Sequence, residues 1–477
     1  MNAKSFFSIQ SRRDFLDHTL YGLGLGVLSH LMGIEGRTAA DGPDALAPGK
    51  PHFAPRARNV IFLFQAGAPS QIDLFDPKPK LREWDGKALP ESLTKELQLA
   101  FIKPTAKVLA SRREFRPAGQ SGIELSEWLP HTATIADDIC LVRSVHGEAV
   151  NHHPGQSLLM TGSPLLGRPT VGSWVTYGLG SEARDLPGFV VLKTGSATQG
   201  STGNWTNGFL PSNYQGVMLR SQGSPILHLT NPEGVSAGMQ RRDLEMITEL
   251  NREQIERTGD AEIASRIAAY ELAFRMQASA PGLIDISDEP EWIREMYGLN
   301  AKETGAYGMT CLLARRLVEK GVRFVLNQHA QWDHHSNLEK GLSQKCRATD
   351  QGVAALVRDL KQRGLLDETL VIWAGEFGRT SLAEWRDPSD PSSIGRDHHA
   401  DGFSVWLAGG GIRGGQVIGS TDELGLTVAE DPVHIHDLQA TLLHCLGLDH
   451  ERLTYRHAGR DHRLTDVGGR VVREMLA

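Results

Sequence analysis

Val322-Arg323-Phe324-Val325-Leu326, a loop carrying His329, Asp333, His334 and His335, a segment from Leu342 to Arg363, and Leu370-Val371-Ile372-Trp373 form the stretch that decides the fold. The two apolar runs are short, nearly continuous and rich in β-branched residues, as strands covered on both faces are. The segment between them has helical apolar spacing and stops at Gly364, a residue suited to the position just after a helix. Strand, loop, helix and strand make a β-loop-α-β unit, and such units build parallel sheets.

Working outward, Val60 to Phe64, Ile139 to Val142, Phe189 to Leu192 and Phe403 to Leu407 are further strand candidates. A helix is expected over Thr310 to Lys320, feeding the Val322 strand, and another over Asp437 to Leu446. Gly238 to Ser279 is charged and carries Ile263, Ile267, Tyr270 and Phe274 at helical spacing, so one or two amphipathic helices should pack there against the sheet. Gly195 to Asn213 and Arg386 to Gly402, rich in Gly, Ser, Asn, Asp and Pro, read as long functional loops. Asp73, His152, Asp333, His334, Glu376, Asp397 and His398 all lie just after strand candidates. In an open parallel sheet, functional groups gather outside the carboxyl ends of the strands, so these residues can converge although scattered in sequence.

The amino end reads as an address. Ser11-Arg12-Arg13-Asp14-Phe15-Leu16, the apolar stretch Leu20 to Met32 and the small pair Ala39-Ala40 have the three parts of a twin-arginine export signal, assigned to residues 1–40. Its apolar part is shorter than the ~20 residues that span a bilayer. The expected location is therefore the periplasm or cell envelope, with no stable membrane span after the leader is removed. Residues 55–477 are expected to form a single α/β domain with a helical insertion at about 238–320. A net charge of −7 gives no footprint for nucleic acid. Cys140, Cys311, Cys346 and Cys445 form no C-x-x-C pair and read as core thiols, though export would permit disulfides. The Gly409–Gly415 run lacks the Gly-Lys-Ser/Thr ending of a phosphate loop, and the histidines from His434 to His462 are irregularly spaced. Neither is taken as a site.

Phe62-Leu63-Phe64-Gln65-Ala66-Gly67-Ala68-Pro69-Ser70-Gln71-Ile72-Asp73 resembles the opening of an exported, largely uncharacterised family, domain of unknown function 1501. Gly375-Glu376-Phe377-Gly378-Arg379-Thr380 and Gly395-Arg396-Asp397-His398 are similar to two further blocks of it. The resemblance covers nearly the whole chain beyond the leader. It implies an alkaline-phosphatase-like, sulfatase-like three-layer sandwich, with a mostly parallel central sheet flanked by helices. In sulfatases a segment C-x-P-S-R supplies a cysteine that becomes formylglycine. Here the similar stretch is His152-His153-Pro154-Gly155-Gln156, with His152 at the cysteine position and Gln156 at the arginine position, so formylglycine chemistry is excluded. Gln65-Ala66 stands where metal-dependent members of that superfamily end their first strand in aspartate. Glu376-Phe377 stands where an Asp-His or Asp-Asn pair is usual.

The residues left form a metal-ligand set. Asp333, His334 and His398, with Glu376 holding or supporting the ion, suit a divalent metal, zinc first, with manganese or calcium as alternatives. Such an ion can activate water or polarise an ester oxygen. His152 is placed at the reacting centre as base, further ligand or nucleophile, and Ser70 is either a hydroxyl nucleophile or a turn residue. His153, Arg379, Asp397 and Asp73 are assigned to substrate binding, Arg379 as an anion clamp. The sequence thus predicts a metal-assisted hydrolase of sulfate or phosphate esters acting on a small-molecule or glycan ester. Two readings of another class stand beside it, an inactive protein that binds anionic glycans and an envelope component.

Overall fold

Asn59–Gln65, the sequence NVIFLFQ, forms strand β1, and its alternate residues feed two separate cores. Val60, Phe62 and Phe64 pack on one side, Ile61 and Leu63 on the other, as the two-residue repeat of a strand dictates. The computed structural model describes residues 46–195, 200–221, 231, 233–258, 260–387 and 389–477. The expected leader lies outside the described residues, as do 196–199 of the first long loop and Pro388 of the second.

Around β1 the remaining strands of the central sheet are β2 (Ile139–His146), β3 (Phe189–Thr194), β4 (Val217–Met218), β5 (Phe324–His329) and β6 (Thr369–Ala374). Strands β7 (Gly378–Trp385) and β8 (Ile394–His399) pair with each other as an antiparallel hairpin, and β9 (Phe403–Ala408), β10 (Gln416–Ile418) and β11 (Val433–His434) return to the sheet. The order is β10-β2-β9-β6-β1-β5-β3-β4, with β11 also beside β2. Every pairing in this sheet is parallel except those of β9 with β2 and β6.

Helices close both faces. On one side lie α1 (His152–Thr161) and α2 (Val171–Leu179), through residues such as Leu158, Trp174 and Val175. On the other, α5 (Gly305–Glu319) and α6 (Leu338–Gln362) bury Leu312, Leu317, Leu342 and Leu356. Between them in sequence come α3 (Ala237–Thr258) and α4 (Ala261–Ile284), and last comes α7 (Ile435–Cys445), which joins α1 and α2 on their face. The result is a three-layer α/β sandwich with a mostly parallel sheet. Each strand candidate and helix read from the sequence forms at or near its expected place.

Two expectations are corrected. Only α4 of the 237–284 pair reaches the core, through Met276 and Leu283. Helix α3 buries mainly the polar Thr248 and Asn251, ties to α4 by Arg241 to Glu271 at 3.0 Å, and leaves Met239, Met246, Ile247 and Leu250 exposed. The Arg386–Gly402 segment is only partly loop, since Ile394–His399 is the second arm of the hairpin. Its strand partner, Gly378–Trp385, has no alternating apolar pattern that would announce it.

The topology sets the site. The carboxyl ends of β1, β2, β5 and β6 share one edge of the sheet, and β9, running oppositely, begins there with the hairpin just before it. The hairpin seats directly on the loop after β5: a Cβ at Gly395 would lie 2.2 Å from the His335 carbonyl carbon and 2.4 Å from the His334 oxygen. Overpacking of this kind typically costs about 1–3 kcal/mol. Gly395→Ala is expected to lower the urea unfolding free energy by that amount, whereas an unchanged midpoint would show that the hairpin can shift freely.

Candidate metal centre

Four side chains meet at that edge. His152 is the first residue of α1, Asp333 and His335 lie in the loop after β5, and His398 stands on β8 opposite Arg379 of β7. Their nitrogen and oxygen donors all lie within 4.8 Å of one another. His335 Nε2 is 2.9 Å from Asp333 Oδ1 and 2.9 Å from His398 Nε2, and His398 Nε2 is 3.5 Å from Asp333 Oδ1. His152 Nε2 lies 3.1 Å from Asp333 Oδ2, yet it is buried without a well-directed hydrogen bond.

Proton accounting shows what this group lacks. His398 Nδ1 lies 2.7 Å from the Val150 carbonyl, which only accepts, so that nitrogen carries the hydrogen. His152 Nδ1 meets Glu376 Oε1 at 2.7 Å and His335 Nδ1 meets Glu384, giving the same tautomer in each case. In neutral rings so held, the three Nε2 atoms present lone pairs to one another and to the Asp333 carboxylate. Lone pairs and negative charge converging on one point repel unless a cation or protons sit among them. Burial opposes charge on His152, but Asp333 and Glu376 outweigh it and raise its pKa to about 9, so a proton fills the role when no metal does. Burial likewise opposes the Asp333 carboxylate, but the adjoining His152, His335 and His398 rings and the charge of Arg379 hold it well below the usual range. Three imidazoles and one carboxylate, each imidazole turned by an acceptor behind it, fit a zinc-like ion. The imidazole side chains are 2–9% exposed and Asp333 is 29% exposed, so solvent reaches the group on the Asp333 side.

The surroundings fix this geometry. Gly67, with φ +112°, brings the turn after β1 so close to the Trp332–Asp333 backbone that a Cβ there would lie 2.6 Å from the Asp333 nitrogen. Glu376 accepts from Gly67 N at 3.0 Å and from Gln156 Nε2 at 2.9 Å. Gln156 Oε1 in turn accepts from Gly200 N at 2.8 Å, which docks the 200–213 loop onto α1.

Several sequence expectations are redirected by these contacts. His334 is corrected by one position: its ring packs against Gly341 of α6 and burial lowers its pKa to about 3, while His335 turns inward. Glu376 stands behind His152 rather than in the donor group. Arg379 is no open anion clamp, because its Nε and terminal nitrogens are bonded to the Ala68, Gly67 and Arg396 carbonyls and to Asp333 Oδ1 at 2.6 Å. Asp397 accepts the backbone N–H groups of Ala100, Phe101 and Ile102 at 3.0, 2.8 and 3.1 Å, which makes it a loop clamp. Asp73 is paired with buried Arg396 at 2.8 Å, and Ser70 Oγ donates to Asp73 at 2.6 Å, which occupies the hydroxyl. His153 is exposed on the first turn of α1. His335 and Glu384 were not singled out as site residues; Asp333 to His335 lie in a loop without strand pairing, where no spacing rule chooses between His334 and His335. The four cysteines are buried and free.

The assignment separates neighbours. His335→Ala is expected to abolish stoichiometric metal in elemental analysis of the purified protein, while His334→Ala keeps it. Equal metal content in the two variants would remove His335 from the ligand set.

No curated protein matches the chain. Among solved structures, it is similar to a Pseudoalteromonas sp. sulfatase, at 14% identity over 82% of this chain and 68% of that one, with a TM-score of 0.35. A protein of the alkaline phosphatase superfamily from Vibrio parahaemolyticus aligns at 9% identity over 85% and 70%, TM-score 0.34. The alkaline phosphatase of the Antarctic bacterium TAB5 aligns at 11% over 74% and 92%, TM-score 0.30. The family model described as "Protein of unknown function (DUF1501)" matches residues 57–476, and the chain belongs to that family.

Proposed function

We propose that the protein is an exported, metal-assisted hydrolase of sulfate or phosphate esters that works without formylglycine. The observation that supports this most is the convergence of three oriented imidazole nitrogens and Asp333 at a solvent-reached point. A zinc-like ion held there by His152, Asp333, His335 and His398 would supply Lewis acidity toward water or an ester oxygen. Glu376, Glu384 and the Val150 carbonyl keep the imidazoles turned inward, and Arg379 fixes Asp333 Oδ1. Ser70 spends its hydroxyl on Asp73, so water is the attacking group in this reading.

A second reading is an anion-binding protein without turnover; it would have to hold the anion without Arg379, whose donors are used up inside the protein. Zinc-loaded protein screened with 4-nitrophenyl sulfate and 4-nitrophenyl phosphate separates the two. Hydrolysis above background, lost on chelation and in a folded His398→Ala variant, is expected; tight anion binding with no turnover would favour the binding protein.

Export belongs to the same proposal. No helix among the described residues is long and apolar enough to cross a membrane. Replacing Arg12 and Arg13 together by Lys is expected to leave the protein in the cytoplasmic fraction, and undiminished export would refute the twin-arginine assignment.

A further inference from the structure

Phe101 is 62% exposed, and its ring stands edge-on to two of the candidate ligands, with centroids 5.4 Å from both His335 and His398 at 77° and 73°. A lone exposed aromatic residue is ordinarily unremarked surface. This one is anchored. Its own N–H and those of Ala100 and Ile102 all donate to one oxygen of Asp397, a fully buried carboxylate whose other oxygen accepts from the His398 N–H at 2.8 Å. Three successive N–H groups turned onto one anion make a backbone nest, which holds the loop from within rather than by burying its side chain. The ring is thus fixed to the segment that carries a metal ligand, with most of its surface left in water.

The ground beside it is mixed in character. The loop reaches, through Leu97, a cavity of about 890 Å³ whose lining includes Trp84, Leu93, His146 and Asp401, and Gln98 N–H donates to Asp401 at 3.4 Å. The lining also carries Glu96, Asp422 and Glu423 with Lys80, and apolar faces interleaved with four carboxylates suit a hydroxyl-bearing ring better than they suit a bare inorganic anion.

We propose that Phe101 is a specificity-determining residue, a platform that receives the face of a ring borne by the ester's alcohol, whether sugar or phenol. The proposal rests on the hydrolase reading, in which the ester's anionic end faces Asp333 and the imidazoles. Contact with the ring contributes selectivity for cyclic over acyclic esters, while the anion is held elsewhere.

The test uses zinc-loaded full-length protein freed of excess metal, with Kd measured by calorimetry for inorganic phosphate, methyl phosphate, phenyl phosphate and glucose 6-phosphate. Wild type is expected to bind one or both ring esters roughly three- to tenfold more tightly than methyl phosphate, the increment of an aromatic contact. That preference should vanish in Phe101→Ala and return in Phe101→Tyr, with unfolding midpoints unchanged because the side chain is exposed. Which ring ester shows the increment identifies the alcohol as sugar or phenol. An equal ring preference in wild type and Phe101→Ala, or none in either, overturns the platform and leaves the hydrolase reading standing. No binding of any of these phosphates, nor of sulfate, methyl sulfate and phenyl sulfate tested in the same way, to wild type overturns both.

Discussion

One buried guanidinium joins the parts that make the site. Arg379, 1% exposed, bonds to the Gly67 and Ala68 carbonyls after β1, to the Arg396 carbonyl on β8 and to Asp333 after β5. Three neutral acceptors and one carboxylate leave little of its donor capacity unmet, which is the condition for a buried cation to be tolerated. The planar, multiply donating head is what permits this; a lysine ammonium is a point donor with a different reach. Without that tie, the turn after β1, the hairpin and the Asp333 loop would each lose a fixed neighbour.

The polar layer around Arg379 has the same logic throughout. Asp73 with Arg396, Glu376 with His152 and Gln156, and Glu384 with His335 pair each buried charge or imidazole with a partner of opposite need. Burial pushes the Glu376 carboxyl upward, and the bonds to His152 and Gln156 bring it below its ordinary value, so it stays an acceptor and fixes the imidazole tautomer. Orientation of the donor group therefore depends on residues that do not belong to it.

Much of the fold was legible because strands buried on both faces must be apolar runs. β1, β5 and β6 announce themselves in this way, and α6 follows from its spacing and from Gly364. The hairpin was not legible, since β7 and β8 are held by each other and by Arg379 and Arg396 rather than by an apolar stripe. In the site, Asp333 and His152 could be singled out because they follow strands, and His398 because it lies in the block Gly395-Arg396-Asp397-His398; the structure places His398 on β8 rather than after a strand. Choosing His334 over His335 depended on a side-chain direction that a sequence alone does not carry. Ser70, Asp73, Arg379 and Asp397 were visible as unusual polar residues, but whether such a residue faces a ligand or another part of the chain is decided only by tertiary packing.

The four converging donors come from three widely separated parts of the chain: the start of α1, the loop after β5, and β8. No such group exists before the sheet is assembled, and once it is assembled the imidazoles are almost wholly enclosed. Binding of any ion is then coupled to folding, and a site of this kind ranks divalent metals mainly by their general order of affinity and their local supply. Under the proposed export of the folded chain, the metal held there would be the one supplied where the chain folds.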